Sequence, residues 1–164
     1  MSLKKLLLIV SLAGFGFGSI VHAAPPEKTK YRTTYTMKAK YDEVREQLKG
    51  AIGNQGLRIN NVSHIGKMLI RTGKDLGFKE KIYTKGQAFE FCSATVSRET
   101  MAADPHNIIF CPYSIQLYEL AKQPGTIYLS YRRPIPIGSK RSQAALVAVE
   151  KLLDKIAQDA VSWF

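Results

Sequence analysis

Cysteine, histidine and tryptophan are scarce: the 164 residues hold two Cys, three His and one Trp. The cysteines, Cys92 and Cys111, are too far apart for a C-x-x-C redox motif and do not follow a paired-cysteine zinc spacing. There is no G-x-S-x-G, no H-E-x-x-H and no phosphate-binding glycine loop, so the common hydrolase, metalloprotease and nucleotide-binding signatures are excluded. Ser93, Ser97, Asp104 and His106 include triad residue types, but three such types within one window arise readily by chance. Repeats, low-complexity tracts and trains of alternating strands long enough for an outer-membrane barrel are also missing. Acid is in short supply, with 13 Asp and Glu against 24 Lys and Arg and a net charge of +11.

The one long apolar run lies at the start. Lys4 and Lys5 precede an apolar stretch from Leu6 to Val21, and Val21-His22-Ala23 places small residues ahead of Ala24. This is the pattern of a secretory signal peptide over residues 1–23, too short and too rich in glycine for a membrane anchor. The mature chain is therefore expected in the periplasm or secreted, with no transmembrane segment. Only Lys4 and Lys5 of the basic excess fall in this leader. A modest cluster at Lys67, Arg71, Lys74, Lys79, Lys81 and Lys85 suits either a soluble basic face or contact with anionic lipid or envelope polymer. Nucleic acid is not an expected partner, because no aromatic-basic stacking motif accompanies the charge.

Residues 24–30, with Pro25 and Pro26, read as a flexible lead-in, and 31–164 as a single domain. Tyr31, Thr33, Tyr35 and Met37 alternate with polar residues and predict a half-buried strand. Asp42 and Glu43 open a helix whose buried stripe is Tyr41, Val44, Leu48 and Ile52. Leu57 to Val62 suggests a second strand and Ile65 to Phe78 a short helix followed by a loop. In an extended stretch ending at Cys92, Phe89 and Phe91 should point one way and Glu90 and Cys92 the other. Ser93 or Thr95 caps a helix that ends at Asp104-Pro105. Ile108 to Leu120 reads as one long strand, forming a hairpin with Thr126 to Arg132 around Pro124-Gly125. Leu146, Val149, Leu153, Ile156 and Ala160 mark the last helix, with Leu152 and Trp163 beside the stripe. The order implies an α+β fold, an antiparallel or mixed sheet with helices packed on one face.

Three readings are open for Cys92 and Cys111. A disulfide would close a loop of about 20 residues and stabilise by roughly 3 kcal/mol, provided the strands that carry them are antiparallel or the helix between them lies across the sheet edge. Free, half-buried thiols are the second. The third is a metal site made with His106, a set whose thiolates and imidazole suit copper or zinc. Tyr113, Tyr118, Tyr128 and Tyr131 alternate along the hairpin, so most should pack the sheet while an exposed subset could form a ligand or dimer surface.

The stretch from Glu90 to Glu119, "EFCSATVSRETMAADPHNIIFCPYSIQLYE", followed by "PGTIYLSYRRP", resembles the family catalogued as domain of unknown function 302. Cys92 falls on that family's first turn, Asp104-Pro105 on its break and Cys111 on its strand. The chain departs at Cys92-Ser93-Ala94, where many relatives have Cys-Asn-Pro, and at Phe110-Cys111-Pro112. The resemblance implies a fold like half of the TATA-box-binding protein, often dimeric, and brings no established activity. The expectation is a non-enzymatic module, without cofactor, that binds a small ligand or an envelope protein and forms a homodimer. The alternative is a thiol-based redox or metal-handling protein using Cys92, Cys111 and His106.

Overall fold

The computed structural model describes residues 25–164, and the expected signal peptide lies outside them. The elements run β1 (Glu27–Lys28), β2 (Arg32–Lys38), α1 (Tyr41–Asn54), β3 (Ile59–Ser63), α2 (Ile65–Asp75), β4 (Tyr83–Phe91), α3 (Ala94–Ala103), β5 (Tyr113–Leu120), β6 (Thr126–Arg132) and α4 (Lys140–Val161). One six-stranded sheet has the order β1-β2-β6-β5-β4-β3. Every pairing is antiparallel. The lead-in contributes β1, whose Glu27 and Lys28 pair with Thr34 and Thr33.

Alternation decides which face is the core. Tyr35 and Met37 of β2, Phe89 and Phe91 of β4, Tyr113, Ile115 and Leu117 of β5, and Ile127, Leu129 and Tyr131 of β6 all turn to one side and are buried. The stripes of α1 and α4 close over them. Tyr41, Val44, Leu48 and Ile52 meet Val149, Leu153, Ile156 and Ala160 in the same cluster. Each fully buried aliphatic side chain here contributes on the order of 1.5–3 kcal/mol. Two phenols tie α4 to the sheet: Tyr35 and Tyr131 each donate to Asp154 Oδ1 at 2.7 Å.

Two expectations are corrected. Ile108–Phe110 are not strand, because Pro105–Phe110 form a 3-10 turn. Asp104 accepts from the His106 backbone N–H at 2.9 Å, and proline at the first helical position has no N–H to waste. Buried Asn107 then donates to the Thr100 carbonyl and to Ser142 Oγ, which locks the turn between α3 and α4. The apolar Ile108 and Ile109 are left exposed. Trp163, expected beside the α4 stripe, is exposed as well, since the helix stops at Val161.

The opposite sheet face has no helix laid across it from α1 or α4. It is flanked instead by α2 at one side and by the loop that follows β6 at the other. α2 sits beside the half of β4 that β3 does not cover, with Gly66 directly against the Gly86 backbone: a Cβ on Gly66 would lie 2.6 Å from Gly86 N.

Candidate ligand groove and thiol pair

The second face of the sheet is graded from charge to aromatic. Register places Arg32 opposite Arg132, Thr34 opposite Ser130 and Thr36 opposite Tyr128. On the next ladder Ser130 faces Gln116, and Tyr128 faces Tyr118. Tyr118 in turn faces Gly86. Successive rows are two residues apart, so roughly 6.7 Å separates one from the next and about 13 Å the arginines from the tyrosines.

Each row has its own chemistry. Tyr118 and Tyr128 are stacked, with centroids 5.1 Å apart and an interplanar angle of 10°. Tyr83 meets Tyr118 edge-on at 5.7 Å. In the middle row Ser130 donates to Thr34 at 2.9 Å and shares a 3.3 Å contact with the Tyr118 hydroxyl. At the charged end Arg32 is held by Glu27 at 3.0 Å, and Arg133 by Glu150 at 2.6 Å. Arg132 has no carboxylate within salt-bridge distance among the described residues. With Arg32 paired to Glu27, Arg132 is the cation left at this end of the sheet to meet an anion.

A groove of about 540 Å³ lies on this surface, walled by Ile65, Tyr83, Phe110, Tyr118 and Ile135, with Arg32 and Arg132 at one end. That size is in the range of small-molecule sites, as is an apolar wall with a few convergent polar groups. Gly86 keeps the floor low, since a side chain there would meet Gly66 and Tyr118.

The two cysteines are brought together at the end of the same strands. Phe91 and Tyr113 are register partners, so β4 exits at Cys92 just where the chain enters β5 through Cys111 and Pro112. Both are free thiols. The expected disulfide is therefore not present in this structure, although the antiparallel geometry it required is. Burial pushes the Cys92 thiol up from its ordinary value, and the neighbouring Cys111 adds to the rise by its charge and by a hydrogen bond. Cys111 Sγ also lies 3.3 Å from Ser97 Oγ, which donates to the Tyr113 hydroxyl at 3.2 Å. Burial raises the Tyr113 phenol to about 12. The Cys92 thiol, raised in this way, stays protonated at neutral pH, unlike an activated thiolate nucleophile.

His106 does not join them. It is exposed on the 3-10 turn. Among the described residues, no group of three or more His, Cys, Asp or Glu is gathered where it could hold a metal ion. No helix of the described residues is long and apolar enough to cross a membrane.

Alternation along the hairpin separates Tyr113 and Tyr131, which are buried, from Tyr118, which lines the groove, and Tyr128, which stacks on Tyr118 from the neighbouring strand. Sequence reasoning missed Arg132, Ser130 and Ile65. The arginines could have been found from the alternation of β2 and β6 only if their register had been known.

This is an open-faced α+β sandwich with a graded groove. The family model described as "Domain of unknown function DUF302" matches residues 33–160, and the chain belongs to that family. Its fold is similar to a solved structure described as that of an uncharacterized conserved protein DUF302 from Bacillus stearothermophilus. The TM-score is 0.65 at 15% identity, over 79% of this chain and 97% of that one. No curated protein matches the chain.

Proposed function

We propose that this chain is an exported, non-enzymatic domain of the bacterial envelope that binds a small organic ligand along the graded groove. The observation that carries this reading is the register of β2, β6 and β5. It sets an arginine pair, a hydroxyl row and a stacked tyrosine pair in line over about 13 Å. An elongated molecule with an anionic head and an apolar or aromatic body matches that order. Such a site binds and orients, and it offers no nucleophile beside a base.

Fluorescent probes test it. Anilinonaphthalene sulfonate has the anionic head and phenylnaphthylamine lacks it. Both should bind the folded domain, the sulfonate more tightly. Arg132→Gln should weaken the sulfonate about tenfold and leave the neutral dye unchanged. Tyr118→Ala should weaken both. Affinities of both dyes that are indifferent to Tyr118→Ala reject the groove. The homodimer expected of the family is a separate matter: light scattering at tens of micromolar should give twice the mass of one chain, and a monomer removes that part.

The meeting of Cys92 and Cys111 at the shared end of β4 and β5 favours a second reading, a dithiol that an external oxidant converts to a disulfide. Two thiols would lose two electrons and two protons to the oxidant as the S–S bond forms. Metal handling by the same pair would need a donor beyond His106, and metal titration against Cys92→Ser and Cys111→Ser distinguishes it. Binding left unchanged in both variants rejects it.

A further inference from the structure

A helix in a globular protein owes most of its stability to an apolar face buried against a neighbour. α2 lacks this support. Of Ile65–Asp75, Gly66 alone is buried. Met68 and Ile70 are exposed on the helix, and the segment that follows adds Leu76 and Phe78, each 70% exposed, and Ile82 at 60%. These side chains belong to one continuous stretch, and Ile70, Leu76, Phe78 and Ile82 border one hollow. Scattered exposed apolar residues are ordinary on a protein surface; this concentration in a single helix and loop is not.

The charges around the patch are mostly cationic. Lys67, Arg71, Lys74, Lys79 and Lys81 lie in the same stretch, against Asp75 and Glu80. Glu80 is already engaged by Lys122 at 3.3 Å. Large apolar side chains ringed by lysine are what an interfacial helix presents to a bilayer. The apolar chains enter the boundary between headgroups and acyl chains while the cations stay among anionic headgroups. A second copy of this chain fits poorly, because a two-fold contact would set the same cationic ring against itself.

We propose that α2 and the segment through Ile82 form a docking surface for an anionic lipid bilayer, holding the domain at the membrane with its groove beside the headgroups. This is independent of what the groove binds.

Vesicle co-sedimentation tests the proposal, using phosphatidylcholine alone and phosphatidylcholine with phosphatidylglycerol. The domain should pellet with the anionic vesicles, remain in solution with the neutral ones, and dissociate as salt rises. The doubly substituted Leu76→Ser, Phe78→Ser chain should lose at least about tenfold in partitioning, and Lys79→Gln with Lys81→Gln a similar amount. Lys151→Gln with Lys155→Gln, on α4, should change little. All these positions are exposed, so unaltered thermal melting will show that the variants are folded. Equal loss from the α4 pair and the α2 pair would mean unspecific attraction of a basic protein and overturn the proposal. So would binding that survives Leu76→Ser, Phe78→Ser, or wild-type protein that ignores the anionic vesicles. Capture of an acidic protein by this patch, without vesicle binding, would also overturn it.

Discussion

Phe91 and Tyr113 sit opposite each other on β4 and β5, their rings meeting edge-on with centroids 6.4 Å apart. This pair determines where the cysteines emerge. Antiparallel partners bring the end of one strand to the start of the next, so Cys92 and Cys111 flank the pair on the same side. Oxidation with diamide should therefore yield an intramolecular disulfide, seen as the loss of both titratable thiols without a rise in mass from cross-linked dimers. The oxidised form should gain about 3 kcal/mol against urea. Disulfide-linked dimers as the main product would show that the sulfurs do not meet within one chain.

Asp154 is one source of the fold's acid sensitivity. Burial alone would raise its carboxyl, but hydrogen bonds from Tyr131 and Tyr35, with Lys28 nearby, prevail and hold it below the usual range. A depressed carboxyl stabilises the fold above its unfolded value near 4 and ceases to do so as pH falls through the lower folded value. Urea midpoints should therefore drop below about pH 4 in the wild type, and less steeply in Asp154→Asn. At neutral pH Asp154→Asn should cost roughly 1.5–3 kcal/mol, since two phenols lose a charged acceptor. An unchanged acid limb in that variant would contradict this role.

The same phenols work in the opposite direction at high pH. Burial raises Tyr35, Tyr41 and Tyr131 above their ordinary value. A raised acid contributes stability that is whole below the unfolded value near 10 and is lost as pH climbs past it. Spectrophotometric titration should show these tyrosines ionising only together with unfolding. Smooth ionisation of all eight tyrosines near pH 10 in the folded state would be inconsistent with the packing.

How much of this was legible in the sequence depended on whether the signal was local. The stripes of α1 and α4, the Ser93 cap and the Asp104-Pro105 stop follow from spacing and side-chain chemistry within a few residues. Their predicted boundaries lie close to the observed ones. Ile108–Phe110 misled because an apolar run is equally compatible with strand, and the contact that locks the 3-10 turn, Asn107 reaching Ser142, is with a distant helix. The groove was invisible for the same reason. Arg32 and Arg132 are a hundred residues apart, and nothing but the β2–β6 register makes them neighbours.

Gly66 and Gly50 offer a test of how α2 is held. A methyl on Gly66 would press into the Gly86 backbone, so Gly66→Ala should destabilise by about 1–3 kcal/mol and loosen α2 from β4. Gly50, in the middle of α1, has nothing within 4 Å of its Cβ position. There alanine should stabilise by roughly 0.5–1 kcal/mol through helix propensity. Thermal melts of the two variants that move in the same direction would refute this account of the Gly66 contact.

The most direct test of the groove is an amide chemical-shift map of the folded domain titrated with anilinonaphthalene sulfonate. The account predicts shifts concentrated at Gly86, Gln116, Tyr118, Ser130 and Arg132, saturating at one dye per chain. Shifts confined to Leu76–Ile82, or absent from β5 and β6, would contradict it.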